Sequence, residues 1–299
     1  MENRVEQIDT LKGLLILLVI IGHLLNGSLD DNIFRYLIYS LNMPLFFCVS
    51  GYLVNVERLK ELNTISFLEK YIYRLIIPWL IAVVFYNILL FIKKEPLSLT
   101  YYHLWYIPTF ILCMYACMCW IRSKLNINDY SLIIISVLIY LCFSLFNINF
   151  SLFLPSYLIF LSLGIFLNHH RHLLSRKTNT ILIVSLVIFF IYRIILFYSP
   201  NKILLTVSFF AFNIIFCICI MQNLNSFFSN KILSWIGKNS LSIYLWHIFP
   251  ILLVRFFVDN TFLYYIIIFP VIILFLISIY YLNKNVLIRK YIFGLSNSK

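Results

Sequence analysis

Acidic residues are scarce in this chain. Only 11 of its 299 residues are Asp or Glu, against 23 Lys or Arg, and charged residues make up 11% of the whole. Ordinary soluble domains carry about 25% charge, so a water-facing globular surface is excluded. Glycine (7) and proline (8) are also few, and no low-complexity linker or repeat of 20–50 residues is visible; solenoids and repeat arrays are therefore excluded. Long polar stretches are missing as well. The longest gaps between apolar runs are about 10 to 18 residues, too short to hold a soluble domain. The seven cysteines, Cys48, Cys113, Cys117, Cys119, Cys142, Cys217 and Cys219, all fall inside apolar runs, which leaves none placed for an extracytoplasmic disulfide framework.

What is present is hydrophobicity: 63% of residues are apolar and the mean hydropathy is +0.95. Apolar runs of 15 to 22 residues recur along the whole length. Each is long enough for a membrane helix, so the fold class expected is all-α: a polytopic transmembrane helical bundle forming one membrane-embedded domain over residues 1–299. The pattern predicts about ten spans, at 11–28, 34–54, 72–92, 104–121, 131–149, 153–168, 180–199, 203–221, 240–257 and 262–283. The first lacks a small-residue cleavage site and holds polar residues, so it is expected to stay with the protein. With the N-terminus inside, only Arg35, Lys93, Lys94, Arg193, Lys202 and Arg255 of the 23 basic residues lie outside. That bias predicts N-in, C-in. The net charge of +12 is then a topology signal, and no nucleic-acid partner is needed to account for it.

Ionisable residues inside a span are costly and usually face the bundle interior or a water-filled cavity. His23 is the foremost case. The run 11–25 is almost wholly apolar, is approached through Asp9 and Lys12, and carries His23 eleven residues after Lys12. Eleven residues are close to three helical turns, so the two share a face about 16 Å apart along the axis. A surface cation in line with a buried base suits a site that holds a charged ligand at one end and does chemistry at the other. Asp9 lies roughly 21 Å from His23 along the same helix, too far to orient it, and is expected to pair with Lys12 or a third-span cation.

Other polar positions are candidates for lining such a site. Ser50-Gly51 in the second span suits either close helix approach or a cavity wall. Residues 56–70 read as a charged loop holding Glu57, Arg58, Lys60, Glu61, Glu69 and Lys70, and lead into Arg74. Lys70 and Arg74 are four apart, on one helix face. Positive-inside anchoring explains Lys70; Arg74 lies just inside the membrane, and Arg is the side chain best shaped for phosphate. His103 and Trp105 stand at the outer start of the fourth span among interfacial tyrosines, His103 being either a surface histidine or one that faces a substrate. In the ninth span Ser240 follows Asn239 at a cap position, and Tyr244 and His247 lie within the span. His247 is expected to hydrogen-bond a neighbouring helix. Two metal candidates are weighed and set aside. Cys113, Cys117 and Cys119 read as small packing residues, and His169-His170-Arg171-His172, near Arg176 and Lys177, reads as a solvated basic loop. No metal is expected.

Together these segments resemble the acyltransferase-3 family of integral membrane acyltransferases over nearly the whole chain. The resemblance is carried by Asp9-x-Leu11-Lys12-Gly13 with His23, Pro44-Leu-Phe-Phe-x-x-Ser50-Gly51-Tyr52, Arg74-Leu-Ile-Ile-Pro78, His103-Leu-Trp105-Tyr, and Gly237-Lys-x-Ser240-Leu-x-Ile-Tyr244-Leu-x-His247. It implies transfer of an acyl group, usually acetyl from acetyl-CoA, to hydroxyls of extracytoplasmic glycans. The first-span histidine, His23, is then the catalytic residue, and Lys12, Arg74 and Lys70 bind the donor. The chain departs from the pattern at two places. Lys12 stands where Arg is common, and Tyr71 stands where an Arg would precede Arg74 by three, with Lys70 adjacent as a substitute. Some members append a soluble esterase-like domain, which is not expected here.

The expected partners are thus an acyl-CoA donor, a glycan or lipid-linked saccharide acceptor and membrane lipids, with acetyl-CoA as substrate and no permanently bound cofactor. The expected location is a bacterial cell membrane. His23 acts either as a direct base on the acceptor hydroxyl or as an acyl carrier. A transporter or flippase of lipid-linked glycans also fits about ten spans with intramembrane polar residues, although no inverted repeat is visible. A glycan-assembly protein with a degenerate site fits the incomplete third-span pair.

Overall fold

The computed structural model describes residues 2–295 apart from 100, 102, 124–129, 149, 151, 171–175 and 225–227. Among these, every regular element is a helix. In chain order they are α1 (Glu2–Leu24), α2 (Ile33–Tyr52), α3 (Val56–Glu61), α4 (Thr64–Tyr71), α5 (Ile77–Ile92), α6 (Tyr106–Arg122), α7 (Ser131–Leu145), α8 (Ser156–His169), α9 (Arg176–Tyr198), α10 (Lys202–Gln222), α11 (Lys231–Lys238), α12 (Ser240–Trp246), α13 (Ile248–Phe257) and α14 (Thr261–Leu282). π-helical turns occupy Ile72–Ile76, joining α4 to α5, and Ile288–Ile292.

Seven helical stretches are long and apolar enough to cross a membrane: Glu6–Leu24, Ile33–Tyr52, Thr64–Ile92, Thr178–Tyr198, Lys202–Gln222, Ser240–Phe257 and Thr261–Leu282. The fourth, fifth and sixth expected spans correspond to the shorter α6, α7 and α8, of 17, 15 and 14 residues. At 1.5 Å per residue these run about 21–26 Å, short of the roughly 30 Å hydrocarbon core. Among the described residues, seven helical stretches thus have full spanning length and three are shorter.

Asparagine starts many of these helices. Side chains of Asn32, Asn55, Asn63, Asn201, Asn230 and Asn260 accept from backbone N–H groups in the first turns of α2, α3, α4, α10, α11 and α14. Such caps satisfy donors that a helix leaves unpaired. Asn55 and Asn63 also explain why residues 56–70, expected as a loop, are mostly helical. At α12 the cap position falls to Asn239, not Ser240, and its side chain makes no cap bond. Its Nδ2 donates instead to Trp235 O at 2.8 Å.

α1 is the most enclosed of the long helices, whereas α9 is mostly exposed at the periphery. α1 packs against α2, α11, α12 and α13, and α2 packs against α8 and α10. Glycine permits the two tightest crossings. A Cβ on Gly13 would strike Leu233 O of α11, and one on Gly237 would strike Asp9 O of α1. Between α2 and α8, Gly51 meets Leu161 O and Gly164 meets Cys48 O in the same way.

α1 ends at Leu24, before Gly27, whose φ of +94° suits glycine. His23 therefore lies in the last turn of its helix. The ninth expected span is broken at His247 into α12 and α13. Pro250, one turn on, has no N–H to offer the Trp246 carbonyl.

Candidate functional site

One stripe on α1 organises the site. Lys12, Ile16, Val19 and His23 recur at i, i+4, i+7 and i+11 and all line cavities. Lys12 Nζ is 3.0 Å from Asp9 Oδ1, the pairing expected. Asp9 itself lines neither cavity and stands behind Lys12.

The larger cavity, about 440 Å³, opens at the Lys12 end of α1. Five cations line it: Lys12, Arg58, Lys70, Arg74 and Lys238. No carboxylate is among its lining residues. Lys70 reaches this wall from α4, its Nζ 5.3 Å from the Tyr71 ring centre. Arg74 sits in the π-helical turn at Ile72–Ile76, and π-turns within helices often occur at functional sites. Ser50 and Tyr244 belong to the same wall, so Ser50 faces the cavity while Gly51 beside it admits α8. Gly294 packs on the Arg74 carbonyl, bringing the C-terminal segment over this cavity.

Sequence reasoning did not single out Arg58 or Lys238 as site residues. Lys238 lies inside the Gly237-Lys-x-Ser240 segment, which was a usable signal. Arg58 had none beyond its charge. Among the described residues no group of three His, Cys, Asp or Glu is arranged to hold a metal. Cys113 and Cys117 are buried and Cys119 is exposed, all three free. Within the basic stretch near residue 170, Arg171 and His172 lie outside the described residues.

The smaller cavity, about 190 Å³, surrounds His23. Its other lining residues are Val19, Arg35, Tyr39, Asn42, Met43, His103, Trp105 and Tyr244. The Tyr39 hydroxyl hydrogen-bonds the His23 ring, 2.9 Å from Nδ1 and 3.2 Å from Nε2. Three histidine rings cluster here, with centroids 5.1 Å apart for His23–His247, 4.8 Å for His103–His247 and 6.1 Å for His23–His103. His103 is buried and faces His23, so it is no surface residue. Its short segment is pinned by Trp79, whose Nε1 donates to Leu104 O at 3.0 Å, and by Asn87, which pairs with Ser98.

Hydrogen bonding fixes two of the three tautomers. His103 Nε2 is 3.3 Å from Leu245 O, and His247 Nδ1 is 2.7 Å from Tyr244 O. A carbonyl can only accept, so those nitrogens carry protons, and in the neutral rings His103 Nδ1 and His247 Nε2 are the free acceptors. Both are buried without a partner. His247 thus bonds the carbonyls of Ile243 and Tyr244 in its own helix, not a neighbouring one. It is fully buried and lies behind the cavity wall.

Val19, Met43 and Tyr244 line both cavities. Each comes from a different helix, α1, α2 and α12, and together they form a collar between the two spaces. On α1 the collar residue separates Ile16 from His23; on α2 it separates Phe46 and Ser50 from Tyr39 and Asn42.

A helical membrane bundle with a polycationic cavity on one side of a collar and a hydrogen-bonded histidine on the other has the parts of a group-transfer enzyme. The family model described as an acyltransferase domain matches residues 5–281, and the chain belongs to that acyltransferase-3 family. No curated protein and no solved structure matches the chain. The protein is a multi-pass membrane acyltransferase.

Proposed function

We propose that the protein transfers acetyl from cytoplasmic acetyl-CoA to a hydroxyl of a cell-surface polysaccharide or lipid-linked glycan in a bacterial cell membrane. The observation that carries this reading is the pair of cavities meeting at the Val19–Met43–Tyr244 collar, cations on one side and His23 on the other. CoA is a polyanion, and five cations without a carboxylate suit its phosphates. Its thin pantetheine arm follows the Ile16–Val19 face of α1 towards His23. Imidazole is the natural base near neutral pH. His23 takes the proton of the acceptor hydroxyl, the oxygen forms the ester bond, the thioester C–S bond breaks, and the proton ends on the CoA thiol.

In this reading α6, α7 and α8 also cross the membrane, giving ten spans with both termini inside, in keeping with the Lys and Arg bias. Single cysteines in a cysteine-free background test it: one at Lys60 labels only from inside and one at Asn260 only from outside.

The function is tested in proteoliposomes holding the purified chain, with labelled acetyl-CoA on the cytoplasmic face and an acceptor glycan. The expected result is ester formation by the wild type. His23→Ala inserts and binds donor but loses transfer by about 10²–10⁴-fold or more. In cells, surface glycans differ by the mass of one acetyl group with and without the gene. Unconsumed acetyl-CoA together with movement of a fluorescent lipid-linked glycan across the bilayer assigns the chain to transport instead.

A further inference from the structure

The His23 cavity carries a full positive charge that no carboxylate answers. Arg35 lines it from α2. Its Nη1 donates to the Gly27 carbonyl, its guanidinium lies 5.5 Å from the Tyr39 ring centre, and its Nε is buried without a partner. Arg255 approaches His23 from α13, with Nη2 3.2 Å from His23 O and 3.2 Å from Asn26 Oδ1. Among the described residues the ion pairs are Lys12–Asp9 and Lys60–Glu57, so neither arginine has an acidic partner. The Asp31 carboxylate, on the adjoining loop, accepts from the Ser28 hydroxyl at 2.6 Å and makes no ion pair with either arginine. Arginine does not shed its proton at any ordinary pH, and a charge in a partly buried cavity is screened less than one in open water.

Two acceptor atoms in the same cavity also lack partners. Asn42 is 2% exposed and its Oδ1 is unpaired; His103 is 3% exposed and its Nδ1 keeps a bare lone pair. The Tyr244 hydroxyl, 6% exposed, has only the Tyr106 backbone beside it. Buried polar atoms are ordinarily satisfied. A set of unpaired ones around a single small cavity describes what a ligand must supply: hydroxyl donors for Asn42 and His103, and an anion for Arg35.

We propose that the acceptor is an anionic polyhydroxy compound, whose carboxylate or phosphate is held by Arg35 while a neighbouring hydroxyl faces His23. This rests on the reading of the His23 side as the acceptor side. Arg35 takes no part in bond making and sets specificity. Carboxylate and phosphate share the geometry that a guanidinium recognises, and the choice between them is made by experiment.

The test uses proteoliposomes of the full chain, labelled acetyl-CoA, and three matched acceptors: methyl glucoside, the corresponding methyl glucuronoside, and methyl glucoside 6-phosphate. One or both anionic acceptors are expected to exceed the neutral one in kcat/KM by about tenfold, the better of the two naming the anion. Arg35→Gln lowers kcat/KM about tenfold more for the anionic acceptor than for the neutral one, through KM, and Arg35→Lys restores part of it. Equal rates for neutral and anionic acceptors overturn the proposal. So does an equal loss for all three in Arg35→Gln, the mark of a purely structural hold on Gly27 and Tyr39. If acetyl-CoA is hydrolysed but none of the three is acylated, thermal stabilisation by each acceptor decides. Stabilisation by an anionic one alone, lost in Arg35→Gln, supports the site, and no difference among them overturns it. If acetyl-CoA is never consumed under any condition, the acetyltransfer reading itself fails.

Discussion

The Tyr39 hydroxyl lies 2.9 Å from Nδ1 and 3.2 Å from Nε2 of His23, a residue whose backbone carbonyl is held by Arg255. α2 thereby sets the orientation of a side chain that belongs to α1. Tyr39→Phe keeps the ring and removes the hydrogen bond. Transfer is expected to fall by about 100-fold in kcat, the scale of a misplaced reacting group, with KM for acetyl-CoA unchanged. Steady-state kinetics on the purified variant check this; a rise in donor KM would place Tyr39 in donor binding instead.

The five cations of the larger cavity come from α1, α3, α4, the π-helical turn and α11. Arg74→Ala and Lys12→Ala are each expected to weaken acetyl-CoA binding about tenfold, as for the loss of one charge-assisted hydrogen bond. Arg58→Ala and Lys238→Ala follow in the same direction. The differences from wild type shrink at high salt. Calorimetric or filter-binding titrations at two ionic strengths measure both effects.

Val19 is the collar residue one turn below His23. Val19→Phe is expected to thicken the wall between the two cavities, so that acetyl-CoA still binds with affinity close to that of the wild type while transfer drops at least 100-fold, the cost of holding the reacting groups apart. Binding and turnover measured on the same preparation separate this outcome from misfolding.

Gly237 admits the Asp9 carbonyl where α11 crosses α1. Gly237→Ala is expected to push the two helices apart, at a cost of about 1–3 kcal/mol as for other overpacked sites. Thermal unfolding in detergent reads the loss. Because Lys238 is the next residue, donor affinity is expected to fall with it.

The sequence displayed what depends on spacing along one helix. The Lys12–His23 stripe follows from 3.6 residues per turn, and Asp9–Lys12 from an i, i+3 contact. Relations between helices were not displayed. Tyr39, Arg35 and Asn42 reach His23 from α2, and no periodicity in either helix announces which faces will meet. Residues 56–70 looked like a loop because charge dominated the reading, yet Asn55 and Asn63 were cap signals in plain view. His247 lies inside an apolar helical stretch as expected, but its ring bonds carbonyls of its own helix, one turn back, where a partner on a neighbouring helix was expected. Its proximity to His103, more than 140 residues away in sequence, emerged only with the fold. The three short helices α6, α7 and α8 were apparent as apolar runs close to their observed positions.

The collar also bears on traffic across the bilayer. Val19 and Met43 are apolar, and with Tyr244 they hold the two cavities apart. Under the proposed transfer an acyl group passes one way and the acceptor's proton returns on the CoA thiol, an exchange that moves no net charge. The products part in opposite directions: free CoA returns to the cytoplasmic pool, and the ester remains on the far side. If the proposed donor and acceptor are right, inhibition by spent CoA acts from one face only, and the ratio of charged to free CoA inside the cell sets how densely the outer glycan is decorated.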